Sequence, residues 1–249
     1  MAAISHFFFL ILYQPLVNAL IFLYNTVALH DLGISIILLT LVIRLLLFPF
    51  FHKSARQQTI MQRLQPKLKA IQAEHKEDRV KQTEAMMALY REHQVNPFSG
   101  FLFLLIQIPV LITLYRIFLY SLSPGAFAPA LYHFVKTPAE FHASFLGLIN
   151  LGSRSILMVA AAAIAQFFQG RLALPKRTDS KTPLSAQEQI TRNMMYVGPL
   201  LTLFIFYNFP AAVSLYWLVS SLFSIVQQIV INRDIAKHGT LGTVSEKPH

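Results

Sequence analysis

The stretch Leu32–Phe51, LGISIILLTLVIRLLLFPFF, constrains this chain most, because 20 nearly unbroken apolar residues carry one cation, Arg44. A helix of this length rises about 30 Å, which matches the hydrocarbon core of a bilayer. A cation at that depth costs roughly 2.5–3.5 kcal/mol on insertion scales. Seven apolar residues follow Arg44, which argues against snorkelling to the headgroups. We therefore predict a transmembrane helix on which Arg44, with Thr40 one turn earlier on the same face, meets water or a partner.

The composition is typical of a membrane protein. Of the 249 residues, 55% are hydrophobic and 13% are charged, whereas soluble domains have about 25% charged residues. The chain has no cysteine, which excludes disulfides, a thiol nucleophile, a cysteine-ligated metal and a cysteine lipid anchor.

Lysine and arginine are unevenly distributed, and their distribution predicts the topology. Residues 1–30 have none and residues 121–150 have one, whereas residues 52–97 have nine, residues 171–193 have five and residues 233–249 have three. Because basic loops stay in the cytoplasm, this pattern predicts five spans, with the N-terminus outside and the C-terminus inside.

The predicted layout is that of an all-α integral membrane protein. Its segments are an amphipathic interfacial helix on the outer side (1–30), a first span (31–51), a cytoplasmic helical hairpin (52–97), a second span (98–120), an outer loop (121–150), a third span (151–170), a cytoplasmic loop (171–193), a fourth span (194–209), a fifth span (210–232) and a cytoplasmic tail (233–249). We expect the tail to be disordered.

Two segments allow alternative interpretations. Residues 4–29 are apolar and uncharged, with Gln14, Asn18 and Asn25 near one helical face; a sixth span is possible, but we favour a helix lying in the outer interface. In the hairpin, an apolar stripe begins at Ile60, and a second helix follows a polar turn at residues 75–78. The basic charge of the hairpin either sets topology or docks a ribosome or substrate, and both roles are compatible.

The spans offer little material for chemistry. Apart from Asp31 at the edge of the first, they contain no acidic residue and no histidine, and the chain has no P-loop motif. A proton or ion transporter usually needs an acidic residue at the midplane. We therefore expect no enzyme activity, no cofactor and no metal site.

Several motifs together resemble the YidC membrane-protein insertase family. They are the first span with its arginine, LQPK at 64–67, MALY at 87–90, NP at 96–97, LLIQIP at 104–109 and NFPAAVSLYWLVSSLFSIVQQIVINR at 208–233. The resemblance covers roughly residues 10–235 and is closest to the short form that lacks the large periplasmic domain.

The resemblance implies that the five spans surround a hydrophilic groove, open to the cytoplasm and to lipid. The residues that match the family's groove positions are Arg44, Thr40, Gln107, Tyr216, Trp217 and Ser224. Each has a simpler alternative: the Thr40 hydroxyl could bond to the carbonyl of Ile36, Gln107 could join two helices, and Tyr216 and Trp217 point about 100° apart. The chain departs from the family at residues 209–212, FPAA instead of FPSG, at Trp217 instead of tyrosine, and in lacking a long basic tail.

From this resemblance we expect an insertase of the bacterial plasma (inner) membrane. It would move hydrophobic segments and short polar tails of nascent proteins into the lipid bilayer through the groove without nucleotide hydrolysis. The expected partners are nascent membrane proteins, the lipid bilayer, the Sec translocon and the ribosome, with no recognition of nucleic-acid sequence. The alternatives are an intramembrane chaperone that assists the Sec translocon without translocating, and a channel.

Overall fold

The computed structural model describes residues 6–96, 99–120, 127–138, 141–174 and 186–238, and most of them are helical. The helices are α1 (His6–Thr26), α2 (Leu32–Leu46), α3 (Phe48–Glu74), α4 (Arg79–Glu92), α5 (Ser99–Tyr120), α6 (Ile156–Ala173), α7 (Ala186–Phe206) and α8 (Ala211–His238). Between α5 and α6 lie a 3-10 turn (Ala128–Ala130) and an antiparallel pair of short strands, β1 (Ser144–Phe145) and β2 (Ile149–Asn150).

The N-terminal part of the chain is a helical pair, α1 and α2. A π-helical turn at Phe9–Tyr13 directly precedes Pro15, whose missing N–H and bulky ring disturb a regular α-helical turn. The chain then reverses through Leu29 and His30, which both have positive φ. Asp31 ends this turn and caps α2, because its Oδ1 accepts the N–H of Ile34 at 2.8 Å.

The apolar stretch Leu32–Phe51 is not one continuous helix. We predicted a span over 31–51, but α2 ends at Leu46 and α3 begins at Phe48, with a 71° bend between them. The cause is Pro49, which lies in the first turn of α3. Proline is tolerated in a first turn, but inside a continuous helix its ring would clash with the carbonyl four residues earlier.

Helices α3 and α4 form an antiparallel pair. Asp78 caps α4 by accepting the N–H groups of Val80 and Lys81, and the Gln82 side chain donates to the carbonyl of Gln72 at 3.1 Å. The first half of α3 also packs against the end of α8. A second apolar cluster forms there, separate from the main core, from Ile60, Leu64, Val95, Ile231 and Ile235.

Other element bounds differ from the predicted segments. Helix α6 begins at Ile156, not at 151, because the chain first forms the strand pair and a turn. Helix α7 begins at Ala186, inside the predicted loop 171–193. Helix α8 continues to His238, so 233–238 are helical and not the disordered tail that we expected; residues 175–185 and 239–249 lie outside the described residues.

The main core joins α1, α2, α5, α6, α8 and the segment between α5 and α6. Helix α6 packs on α7 and α8, and its buried Ala162, Ala163 and Ala165 allow close approach of the helices. Within the described residues, α1, α6 and α8 are long and apolar enough to cross a membrane, and the bent pair α2–α3 would add a fourth span. Helices α5 and α7 contain the shorter apolar stretches Leu105–Leu119 and Met195–Phe206.

Candidate functional site

Arg44 lies in the last turn of α2 and is only 5% exposed. Its guanidinium carbon lies 4.7 Å from the centre of the Phe51 ring, a distance at which the ring face attracts a cation. Its Nη1 is buried and makes no hydrogen bond to any described residue. The ion pairs among the described residues, Arg56–Asp234 and Lys81–Asp78, do not involve it. Arg44 is therefore a buried cation with unused donor capacity.

Thr40 is also buried, one turn before Arg44. Its hydroxyl donates to the carbonyl oxygen of Ile36 at 2.6 Å. This is the local bond that the sequence analysis named as the simpler alternative. The bond uses the hydroxyl proton, so Thr40 could donate to another group only by breaking it, whereas its oxygen remains able to accept a hydrogen bond.

Gln107 and Tyr216 meet between α5 and α8. The amide Nε2 of Gln107 donates to the Tyr216 hydroxyl at 2.7 Å, and both side chains are buried. Tyr216 is also close enough to Arg44 for the two side chains to interact electrostatically. Tyr216 of α8 therefore bonds to Gln107 of α5 and lies near Arg44 of α2.

Trp217 points elsewhere, as the angle of about 100° between adjacent helix positions requires. Its ring packs edge-on against Phe206 of α7, with the ring centres 5.3 Å apart. Its indole Nε1 is buried and has no hydrogen-bond partner among the described residues.

Ser224, the last predicted site residue, donates to the carbonyl oxygen of Ser220 at 2.9 Å. Neither contact joins Trp217 or Ser224 to Arg44.

Unsatisfied polar groups are concentrated on three helices. In the described part of the chain, every buried side-chain nitrogen or oxygen without a hydrogen-bond partner lies on α2, α3 or α8. They include atoms of Arg44, His52, Gln62, Ser214, Trp217 and Gln227. Since buried polar groups are normally paired, this concentration marks the α2–α3–α8 region as one that can accept a polar ligand or water.

The sequence analysis missed two features around the site. Phe51 was not singled out, because it lies on α3, and only the bend between α2 and α3 brings its ring to Arg44. The second feature is a polar link between α3, α8 and α6: Gln228 donates to Thr59 at 2.9 Å and to Asn232 at 3.1 Å, and Asn232 donates to the carbonyl of Leu172 at 2.8 Å. Gln228 and Asn232 are one helical turn apart, but only a structure could pair Gln228 with Thr59 and Asn232 with Leu172, which are far apart in sequence.

Polar side chains of α1 and the turn after it hold the segment between α5 and α6. Each of them bonds to backbone groups of that segment. The bonds are Asn18 Nδ2 to the Ala130 carbonyl (2.9 Å), the Tyr132 N–H to Asn18 Oδ1 (2.7 Å), Asn25 Nδ2 to the Lys136 carbonyl (2.7 Å), the His142 N–H to the Tyr24 hydroxyl (2.9 Å) and the Leu146 N–H to Asp31 Oδ2 (2.6 Å). The polar face predicted at Asn18 and Asn25 thus serves to anchor this segment.

Comparison with known proteins identifies a family. The profile described as 60Kd inner membrane protein matches residues 22–238. Among curated proteins, the membrane protein insertase YidC of Geobacter metallireducens is 32% identical over 235 residues, and that of Magnetococcus marinus is 36% identical over 229 residues. The alignments cover 94% and 92% of this chain but 39% and 37% of the two relatives. The chain thus spans about two fifths of the length of the curated relatives that it matches.

Proposed function

The chain belongs to the YidC family, the family of the 60Kd inner membrane protein, and from this premise we propose that it is itself a membrane protein insertase. Its apolar helices and its family make it a multi-pass protein of the inner membrane. The observation that carries the proposal is the buried guanidinium of Arg44, which has an unused donor and no carboxylate partner among the described residues.

The proposed substrate site is the region where α2, α5 and α8 meet around Arg44. A buried donor without a partner costs about 1–3 kcal/mol, and more when it is charged. Water or an acidic group of a passing chain would recover that free energy. A nascent segment that carries a polar or acidic N-terminal tail supplies such a group, and the hydrated region shortens the apolar barrier that the tail must cross.

The driving force in this proposal comes from the substrate. Its hydrophobic segment leaves water for lipid, which contributes roughly 25 cal/mol per Å² of apolar surface. The segment would slide past Tyr216 and Trp217 on its way out. The membrane potential adds about 2.3 kcal/mol per charge for each 100 mV when an acidic tail crosses outwards. No nucleotide hydrolysis is needed.

We propose the topology predicted from the charges, with α1 at the outer interface and five spans in α2, α5, α6, α7 and α8. Length and composition alone would also let α1 cross the membrane. The backbone bonds of Asn18 and Asn25 favour the interface, because they hold irregular backbone along about 10 Å of α1. Irregular backbone is not tolerated across the hydrocarbon core, but it is accommodated in the interfacial region near the headgroups.

The helical pair α3–α4 would then lie on the cytoplasmic side. Nine basic residues fall within 52–97, and they make this pair the proposed contact for the ribosome or for an incoming substrate. A contact with the Sec translocon also belongs to this proposal, and no particular surface is assigned to it.

Reconstitution in liposomes distinguishes an insertase from a chaperone and from a channel. Purified protein in liposomes should insert an added single-span substrate without other proteins and without nucleotide, as measured by protease protection. Arg44→Ala should lower the inserted fraction, whereas Arg116→Ala, which removes an exposed arginine from α5, should leave it unchanged. Improved folding of spans without insertion would instead identify a chaperone, and steady ion conductance across the bilayer would identify a channel.

A further inference from the structure

Three exposed leucines lie in turns next to the N-terminal end of α2, where Asp31 caps the helix. Leu29 lies in the turn before α2, and Leu146 and Leu148 flank Gly147 at the tip of the β1–β2 hairpin. Their relative exposures are 85%, 58% and 85%. Exposed leucines gathered at two neighbouring turns are unusual on a surface that faces water.

Two of these leucines also adopt an unfavourable backbone conformation. Leu29 has φ 52° and Leu146 has φ 53°, a region that bulky side chains seldom occupy. Turns of this kind normally carry Asn or Gly. A strained backbone conformation persists where the surroundings or the function require that residue. Leucine at both positions therefore indicates that these turns require an apolar side chain.

The hairpin tip is attached firmly to α2. One carboxylate oxygen of Asp31 accepts the N–H of Ile34 in the first turn of α2, and the other accepts the N–H of Leu146 at 2.6 Å. Phe145 packs directly on Gly33, where any Cβ would lie 2.6 Å from the Phe145 Cβ. The height of the leucines relative to the membrane is therefore set by the height of α2.

The length of α2 places this end close to lipid. Its 15 residues rise about 22 Å, which is less than the hydrocarbon thickness of about 30 Å. The Asp31 end therefore does not project far beyond the apolar layer. Residues 141–153 carry no charged side chain, and the Leu148 N–H donates to the Phe145 carbonyl at 3.0 Å within the turn. Because the N–H groups of Leu146 and Leu148 are both hydrogen-bonded, the tip can enter an apolar phase without leaving these two donors unpaired.

We propose that Leu29, Leu146 and Leu148 form a lipid wedge that is immersed in the outer leaflet beside α2. The inference rests on the topology proposed above and not on the insertase activity. Its partner is the acyl region of the lipid just below the headgroups. Because α2 also carries Arg44, the wedge would hold the guanidinium at a constant depth in the membrane.

The absence of cysteine allows a direct test. Leu148→Cys and, as an independent second site, Leu29→Cys are each labelled with an environment-sensitive fluorophore in the full-length protein. The protein is reconstituted in vesicles of phosphatidylethanolamine and phosphatidylglycerol. Quenching is measured with soluble iodide and with lipids that carry a nitroxide either near the headgroup or near the end of the acyl chain. Glu77→Cys, in the α3–α4 turn, provides the aqueous reference, and Phe204→Cys, exposed on α7, provides the lipid reference.

The wedge predicts that the probes at 148 and 29 lose most of their emission to the shallow nitroxide, lose less to the deep one, and resist iodide. Quenching by iodide to the level of the Glu77 probe would overturn the proposal. Resistance to iodide and to both nitroxides would also overturn it, since the leucines would then contact protein, such as a second copy of the chain. Activity of the labelled protein is not needed, so failure of the insertase proposal gives a separate result.

Discussion

Gln107 and Tyr216 are joined by a buried hydrogen bond of 2.7 Å, although 109 residues separate them in the sequence. The bond links α5 to α8 near the buried guanidinium of Arg44, which has no carboxylate partner among the described residues. It constrains the rotation of α5 and α8 relative to each other, because an amide and a phenol that are buried together need each other as partners. The polar character of the site and the packing of its helices therefore depend on the same two residues.

Replacing one partner of this bond should destabilise the protein. Tyr216→Phe removes the acceptor and leaves the Gln107 amide buried without one, which we expect to cost roughly 0.5–2 kcal/mol. Unfolding in detergent measures the loss. The double variant Gln107→Leu/Tyr216→Phe should lose less than the sum of the single variants, and Tyr207→Phe, at an exposed tyrosine, is the control. Strictly additive losses would show that the two residues are not coupled.

Removing the buried charge should not weaken the fold. Arg44→Met keeps a long side chain and abolishes an unpaired cation, so we expect stability to be unchanged or raised, by up to about 3 kcal/mol. Phe51→Leu should have the opposite effect and cost about 0.5–2 kcal/mol through loss of the ring face beneath the guanidinium. The same variants measured for substrate insertion should show that Arg44→Met inserts an acidic-tailed substrate poorly. Marked destabilisation by Arg44→Met would mean that the arginine is structural.

Gly33 should not tolerate a side chain. An alanine Cβ there would overlap the Phe145 side chain, and relieving the overlap would displace the β1–β2 hairpin at an expected cost of about 1–3 kcal/mol. Gly170→Ala is the matched control on α6, where the added Cβ would meet only the flexible Met195 side chain at 3.3 Å. Thermal unfolding compares the two variants, and equal melting temperatures would contradict the packing described here.

The first turn of α4 should loosen in acid. Hydrogen bonds from the backbone N–H groups of Lys81 and Val80 hold the pKa of the Asp78 carboxyl below its usual value. Because the pKa is lower in the folded state, the cap contributes stability above about pH 4, and this contribution is lost as the pH falls through the folded-state pKa. Hydrogen exchange of the Val80 and Lys81 amides, corrected for intrinsic rates, should therefore accelerate as the pH falls through the lowered folded-state pKa of Asp78.

Two variants isolate the role of that carboxyl. Asp78→Asn can still cap the helix but cannot titrate, so it should abolish the acid-dependent part of the exchange. Glu77→Gln changes a neighbouring carboxyl that makes no such bond among the described residues and should behave like the native chain. Acid-dependent exchange that persists in Asp78→Asn would assign the effect to another group.

The sequence was sufficient for features that depend on local pattern. Hydropathy located the apolar helices, and the spacing of Ile60 and its neighbours indicated the helical pair α3–α4. The bend after Leu46 was not predicted, because a proline such as Pro49 favours a helix start without requiring one: Pro66, Pro109 and Pro199 lie inside α3, α5 and α7. The strand pair was missed because two residues per strand carry no periodic signal.

The contacts of the site were less predictable than its residues. The family resemblance selected Arg44, Gln107 and Tyr216, and the structure brings these three together. The sequence left the Thr40 bond to its own helix as an alternative and did not indicate the one of Ser224, because a hydroxyl in a helix has a backbone carbonyl one turn away whether or not it lines a groove. The anchoring of Ala130 by Asn18 and of Leu146 by Asp31 depends on contacts between segments more than 100 residues apart, which no local pattern encodes.

The central claim is that the charge of Arg44 draws acidic tails into the membrane, and insertion of two matched substrates tests it most directly. The substrates share one hydrophobic segment and differ only in an acidic or a neutral N-terminal tail. In reconstituted liposomes, Arg44→Ala should reduce insertion of the acidic-tailed substrate much more than that of the neutral one. Arg44→Lys should retain much of the activity, since a point charge is sufficient. Equal insertion of both substrates by Arg44→Ala, at the level of the native protein, would contradict the account.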